Sequence, residues 1–177
     1  MRLLGRNGAG KTTTIKILLG MTRPSSGSAS VFDLDASAPQ SSVEIRRRAA
    51  FVSEEKDLYG YMTVDDMLRF TASFYPNWRS DLEQRYLRNF ALPLDRKIKA
   101  LSRGMRTGLA LLLALCRGAE LLILDEPTSG FDPAMCDEVL QALIAHVANE
   151  NATVLFSTHQ IAGGRVGDHR VRRVSRD

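Results

Sequence analysis

The chain has 177 residues, enough for one domain with a sizeable buried core and too few for two. Its 44% hydrophobic and 25% charged residues are ordinary for a soluble globular protein, and its longest apolar stretch, Leu109–Cys116, falls far short of the about 20 residues of a membrane span. The net charge of +4 does not mark a nucleic-acid face: +3 of it lies after Ala162, where five arginines meet two aspartates. Cys116 and Cys136 are too few for a disulfide framework and read as buried free thiols of a reducing compartment. With no secretory signal at Met1, a cytoplasmic location is expected.

The elements follow in chain order. Met1–Leu4 is an apolar stub that fits the end of a strand. A Gly-rich turn leads into a helix over about 11–19, which stops at Gly20. Ser28–Phe32 reads as a strand, Val43–Arg48 as a helix and Ala49–Ser53 as a short strand. The pattern then turns helical. Thr63 and Asp66 have capping-box spacing before a helix through Phe74, and Ser80 and Glu83 repeat it before a helix through Phe90. A helix over Ser102–Arg117 follows. Leu121–Leu124 is a fully apolar strand of the kind found in parallel sheets covered on both faces. Asp132 caps a helix over Pro133–Asn149, and Thr153–Ser157 is another apolar strand.

Two motifs carry chemistry. Residues 5–12, Gly-Arg-Asn-Gly-Ala-Gly-Lys-Thr, fit G-x-x-x-x-G-K-[ST] between a strand stub and a helix. The backbone N–H groups of Gly5, Asn7, Gly8, Ala9 and Gly10 would cradle phosphate oxygens at the positive end of the helix, with Thr13 behind them. Lys11 would reach the β- and γ-phosphates, and the Thr12 hydroxyl would ligate Mg2+. A GTPase would also need N-K-x-D, which is missing. The second motif is Leu121–Glu126, four apolar residues ending in two acids. Asp125 would hold the Mg2+ shell, and Glu126 would polarise a water in line with the γ-phosphate.

With these residues the chain resembles the ABC ATPase family, specifically the ATP-binding subunits of bacterial exporters. Leu101-Ser-Arg-Gly-Met105 resembles the LSGGQ signature, residues 127–133 (Pro-Thr-Ser-Gly-Phe-Asp-Pro) resemble the D-loop, Ser157-Thr-His159 resembles the switch strand, and Phe51-Val-Ser-Glu54 stands where the family has its Q-loop. The fold implied is α/β: a P-loop NTPase core with a mostly parallel sheet flanked by helices, plus an all-helical insert over about 55–117. The resemblance also implies an N-terminal antiparallel edge sheet presenting an adenine-stacking aromatic, which is expected to be largely missing here. The nucleotide-binding domain is expected over 1–162 and an irregular basic tail over 163–177.

The resemblance implies ATP and Mg2+ as cofactors and a composite site between two such domains, as a homodimer or heterodimer. Ser102 and Gly104 would contact the γ-phosphate of the partner's ATP. Glu126 and His159 would act in hydrolysis with Lys11, Asp132 would couple the two sites, and Thr12, Glu54 and Asp125 would hold the metal. An integral membrane permease is the expected second partner, met by Leu58, Tyr59, Tyr61 and Met62, with the domain peripheral on the inner face of the cell membrane and no nucleic acid bound. Three departures stand out: Glu54 replaces the usual Gln, and Arg103 and Met105 replace Gly and Gln of the signature. At Gly163 the helical and strand patterns stop, which reads as a truncated or shifted frame. The alternatives are a degraded ABC ATPase without activity and a soluble, non-transport ABC ATPase.

Overall fold

A computed structural model describes residues 2–4, 10–128, 130–150, 152–158 and 171–173. Five parallel strands form one sheet in the order β4-β5-β6-β1-β7. They are β1 (Arg2–Leu4), β4 (Ala49–Val52), β5 (Leu121–Asp125), β6 (Thr153–Thr158) and β7 (Val171–Arg173). A separate antiparallel hairpin joins β2 (Ser30–Val31) to β3 (Leu34–Asp35). The helices are α1 (Lys11–Leu18), α2 (Pro39–Arg48), α3 (Val64–Ala72), α4 (Ser80–Asn89), α5 (Arg103–Cys116) and α6 (Pro133–Glu150), with a 3-10 turn at Ile98–Ala100.

Alternation along β5 decides how the sheet is covered. Leu122 and Leu124 point into a large core shared with α5, α3 and α4, whereas Ile123 joins Ile15 of α1, its C-cap Leu19, Ala49 and Leu155 on the other face. Both sets are fully buried, so an unbroken apolar run is what the position requires. In α5 every residue from Thr107 to Cys116 is buried, because the sheet lies on one side and α3 and α4 on the other. Gly108 is the point of closest approach: a Cβ there would stand 2.8 Å from Phe90 Cγ and 2.9 Å from Phe90 Cβ.

Local signals explain most element ends. Thr63 and Asp66 form the full capping box at α3, with both hydrogen bonds at 3.1 Å. Ser102 caps α5 by accepting from the Met105 N–H at 3.1 Å, and Asp132 caps α6 by accepting from the Met135 N–H at 3.0 Å. The expected box at Ser80 does not form. Ser80 is already the first helical residue, and the Glu83 carboxylate instead accepts from Trp78 Nε1 at 2.6 Å.

Two other expectations are corrected. The strand expected over 28–32 is a hairpin whose central residues, Phe32 and Asp33, have φ of 56° and 61°, a primed turn built without glycine. The Arg48 guanidinium lies 3.9 Å from the Phe32 ring centroid and pairs with Glu120, which fastens the hairpin to the sheet. The segment after Gly163, expected to hold no strand, supplies β7, paired in parallel with β1. Of the two free thiols, Cys116 is buried and burial pushes it up to about 12, whereas Cys136 is half-buried.

Gly108→Ala tests the α5–α4 contact. Helix propensity favours alanine by about 1 kcal/mol, but overpacking against Phe90 costs about 1–3 kcal/mol. A lower urea midpoint is expected; an unchanged or raised one would show that the contact gives way freely.

Candidate functional site

The site gathers at the C-terminal ends of the parallel strands, where α/β sheets bind ligands. Gly10 precedes α1 with φ of 85°, a left-handed conformation that glycine adopts without cost, although a Cβ there would have open space. That turn delivers Lys11 and Thr12 to the first turn of α1, and Lys11 is buried there. Gly5, Asn7, Gly8 and Ala9 lie outside the described residues, as does His159.

Asp125 ends β5 and Glu126 follows it, and both are buried, at 2% and 5% exposure. Register places Asp125 beside Ser157 of β6. The buried Ser157 hydroxyl donates to Asp125 Oδ1 and accepts from the Glu126 N–H at 3.4 Å. On the other side, Thr12 Oγ1 donates to Asp125 Oδ2 at 2.7 Å. One carboxylate therefore joins the start of α1 to the ends of β5 and β6. Glu126 has φ of 50°, so the second acid sits in a left-handed conformation that costs a non-glycine residue about 1–3 kcal/mol. Such strain collects where geometry is held for chemistry.

Thr12, Glu54, Lys56 and Asp125 line one cleft of about 620 Å3, which runs on past Thr71, Tyr75 and Arg117. The sequence reading missed Lys56. Its Nζ donates to the carbonyls of Ser53 (2.7 Å), Glu54 (3.2 Å) and Asp125 (3.3 Å), and its φ is 53°. Burial lowers the Lys56 ammonium from its usual range, and the charges of Asp125, Glu54 and Glu126 pull the other way. Its neighbours Glu54 and Asp57 disguised it in the sequence as one more charge on a loop.

Glu54 is exposed, and its carbonyl rather than its carboxylate meets Lys56. The oxygen donors at Thr12 and Asp125 suit a hard cation such as Mg2+, which takes one or two protein ligands and completes its octahedron with phosphate and water. Among the described residues no group of three or more His, Cys, Asp or Glu converges into a full protein cage. The donor set thus fits Mg2+ bound together with a phosphate better than a dedicated metal cage.

Ser102 and Asp132 are exposed helix caps, and Thr13 is exposed in the first turn of α1. The start of α5 packs on the loop after the acids: a Cβ on Gly104 would meet the Gly130 carbonyl at 3.2 Å and the Phe131 ring at 3.4 Å. The described elements of the site, taken together, are a left-handed glycine leading into α1, two buried acids and a capped helix whose start packs on the loop after them.

Residues 1–129 match the ABC transporter family. The chain belongs to the ABC transporter family. It is 34% identical over 158 residues to the bacitracin transport ATP-binding protein BcrA of Bacillus licheniformis, covering 88% of this chain and 51% of that protein. It is 35% identical over 162 residues to the Nod factor export ATP-binding protein I of Cupriavidus pinatubonensis, covering 89% and 49%. The chain thus spans about half the length of these curated relatives. Among solved structures, an ATP-binding subunit of an ABC transporter superposes with a TM-score of 0.76 at 33% identity, covering 90% of this chain and 68% of that one. A dimeric bacterial ABC transporter cassette shares the fold, with a TM-score of 0.78 at 22% identity over 90% and 74% of the two chains. No helix among the described residues is long and apolar enough to cross a membrane.

Ser157→Ala tests the support under the acids. It leaves buried Asp125 without one donor and should cost about 1–3 kcal/mol, read by urea unfolding. An unchanged midpoint would count against that role.

Proposed function

We propose that the chain is the ATP-binding and ATP-hydrolysing part of an ABC-type exporter. The observation that carries this reading is the 2.7 Å bond from Thr12 to Asp125, which brings the end of the phosphate-binding motif onto the acid that the motif needs. The names of the relatives, which are transport and export ATP-binding proteins, support it.

In this reading the N–H groups of residues 5–10 and the ammonium of Lys11 hold the phosphates of ATP. Mg2+, when bound, neutralises charge on the β- and γ-phosphates. Thr12 and Asp125 are the residues that would hold it, with Glu54 reaching from the cleft's other side. Glu126, fixed at the strand end by the Ser157 contact to its N–H, takes the proton of the attacking water. His159 assists at the γ-phosphate. Ser102, Gly104 and Asp132 face a second ABC ATPase domain, in a homodimer or heterodimer, and serve the partner's nucleotide. The working unit is residues 1–162, its helical part 55–117, with Val171–Arg173 attached at the sheet edge beside β1.

An integral membrane permease is the second partner, with the domain on the inner face of the cell membrane. The helical part has a surface suited to it. Tyr61 is 69% exposed and lies 5.9 Å (ring centroids) from Tyr59, which meets Phe70 at 5.8 Å. Phe70 meets Phe74, 63% exposed, at 5.1 Å. Four aromatic rings in a row are a large apolar area to leave in water. Leu58 and Met62, also expected at this contact, are partly buried and pack against the core.

Hydrolysis of Mg·ATP by the purified chain, compared with Glu126→Gln, is the test. Loss of a general base should lower kcat at least about 100-fold. Equal background rates in the two proteins would replace this reading with that of an inactive relative.

A further inference from the structure

Lys56 has three N–H donors, and three backbone carbonyls converge on them. Two of those carbonyls, on Ser53 and Glu54, belong to its own loop after β4. The third is that of Asp125, 69 residues away at the end of β5. A contact confined to Ser53 and Glu54 would only shape a turn. The contact to Asp125 makes it a cross-link between two segments that each carry an acid of the cleft. The backbone is left-handed at Lys56 itself (φ 53°) and at Glu126 (φ 50°), the residue that follows the Asp125 anchor, and neither is glycine. A backbone held left-handed at these two positions needs something to hold it, and a half-buried ammonium bonded to both segments contributes to that.

We propose that Lys56 is a positioning residue whose ammonium ties the loop bearing Glu54 to the strand end bearing Asp125 and Glu126. It touches no substrate atom. It acts by fixing the distance between the two acid-bearing segments, so that Glu126 stays aimed while nucleotide binds and leaves. The charge fits the role as well: a cation beside Glu54, Asp125 and Glu126 offsets the repulsion that would otherwise spread the two segments. The proposal rests on reading Asp125 and Glu126 as the acids of the ATP site, although the tie itself is a matter of structure.

Lys56→Met keeps the length of the stem and removes every donor, so two measurements on the whole chain separate the possibilities. Amide hydrogen exchange on the nucleotide-free protein should speed up at least about 10-fold in residues 53–57 and in residues 124–127 together, with α1 and α5 unchanged. Faster exchange in 53–57 alone, or in neither segment, would overturn the tie. In Mg·ATP hydrolysis the same variant should lower kcat at least about 10-fold with KM within about 3-fold; a wild-type kcat would overturn the positioning role. Should exchange rise throughout Lys56→Met, Lys56→Arg decides. Its planar fork cannot meet three convergent carbonyls, so both segments should exchange at least about 3-fold faster. Wild-type exchange in Lys56→Arg would overturn the proposal. Should the wild-type protein itself prove inactive, the functional reading fails while the exchange result still judges the tie.

Discussion

The Asp125 carboxylate accepts from Thr12 on one oxygen and from Ser157 on the other, and the rest of the site is arranged around that fact. A carboxylate exposed to only 2% is tolerable only when its oxygens are bonded, since an unpaired buried charge costs several kcal/mol. Satisfying it draws three elements to one point. The start of α1 must approach β5, and β6 must run parallel to β5 in a register that sets Ser157 beside Asp125. The same contacts that remove an electrostatic cost bring the start of α1, with Lys11 and Thr12, next to two acids.

The sheet supplies the rigidity. Burying β5 on both faces commits its alternate residues to two different clusters, so a slip of one residue would exchange both sets and eject the acids from register. The helical part packs through α5, whose first turn lies on the loop following the acids. Under the proposed function, that packing is where the helical part carrying the exposed aromatic row meets the loop after the acids.

Local geometry was legible in the sequence where residue identity and spacing carry it directly. Gly10, Lys11 and Thr12 before a helix, and Asp125 and Glu126 after four apolar residues, specify their own local geometry, and the capping box at Thr63 and the helix cap at Asp132 do the same. What the sequence concealed depends on partners distant along the chain. Lys56 reads as solvated loop charge until β5 brings the Asp125 carbonyl to it. Ser157 reads as the tail of an apolar strand until parallel register sets it beside Asp125. Ser80 lost its cap role because Trp78 claimed Glu83, and the hairpin at Phe32 and Asp33 escaped notice because it makes a primed turn without the usual Asn-Gly or Asp-Gly. Val171–Arg173 is too short to alternate visibly, and only its neighbour β1 makes it a strand.

In the proposed function Thr12 and Asp125 meet in order to hold a metal on a bound nucleotide. The most direct test is a crystal structure of the Glu126→Gln chain grown with Mg·ATP. The account predicts Mg2+ bonded to Thr12 Oγ1 at about 2.0–2.1 Å, Asp125 turned toward the metal's shell while still bonded to Ser157, and the phosphates on the N–H groups before Lys11. A nucleotide bound elsewhere, or a metal that leaves Thr12 and Asp125 hydrogen-bonded to each other, would contradict it.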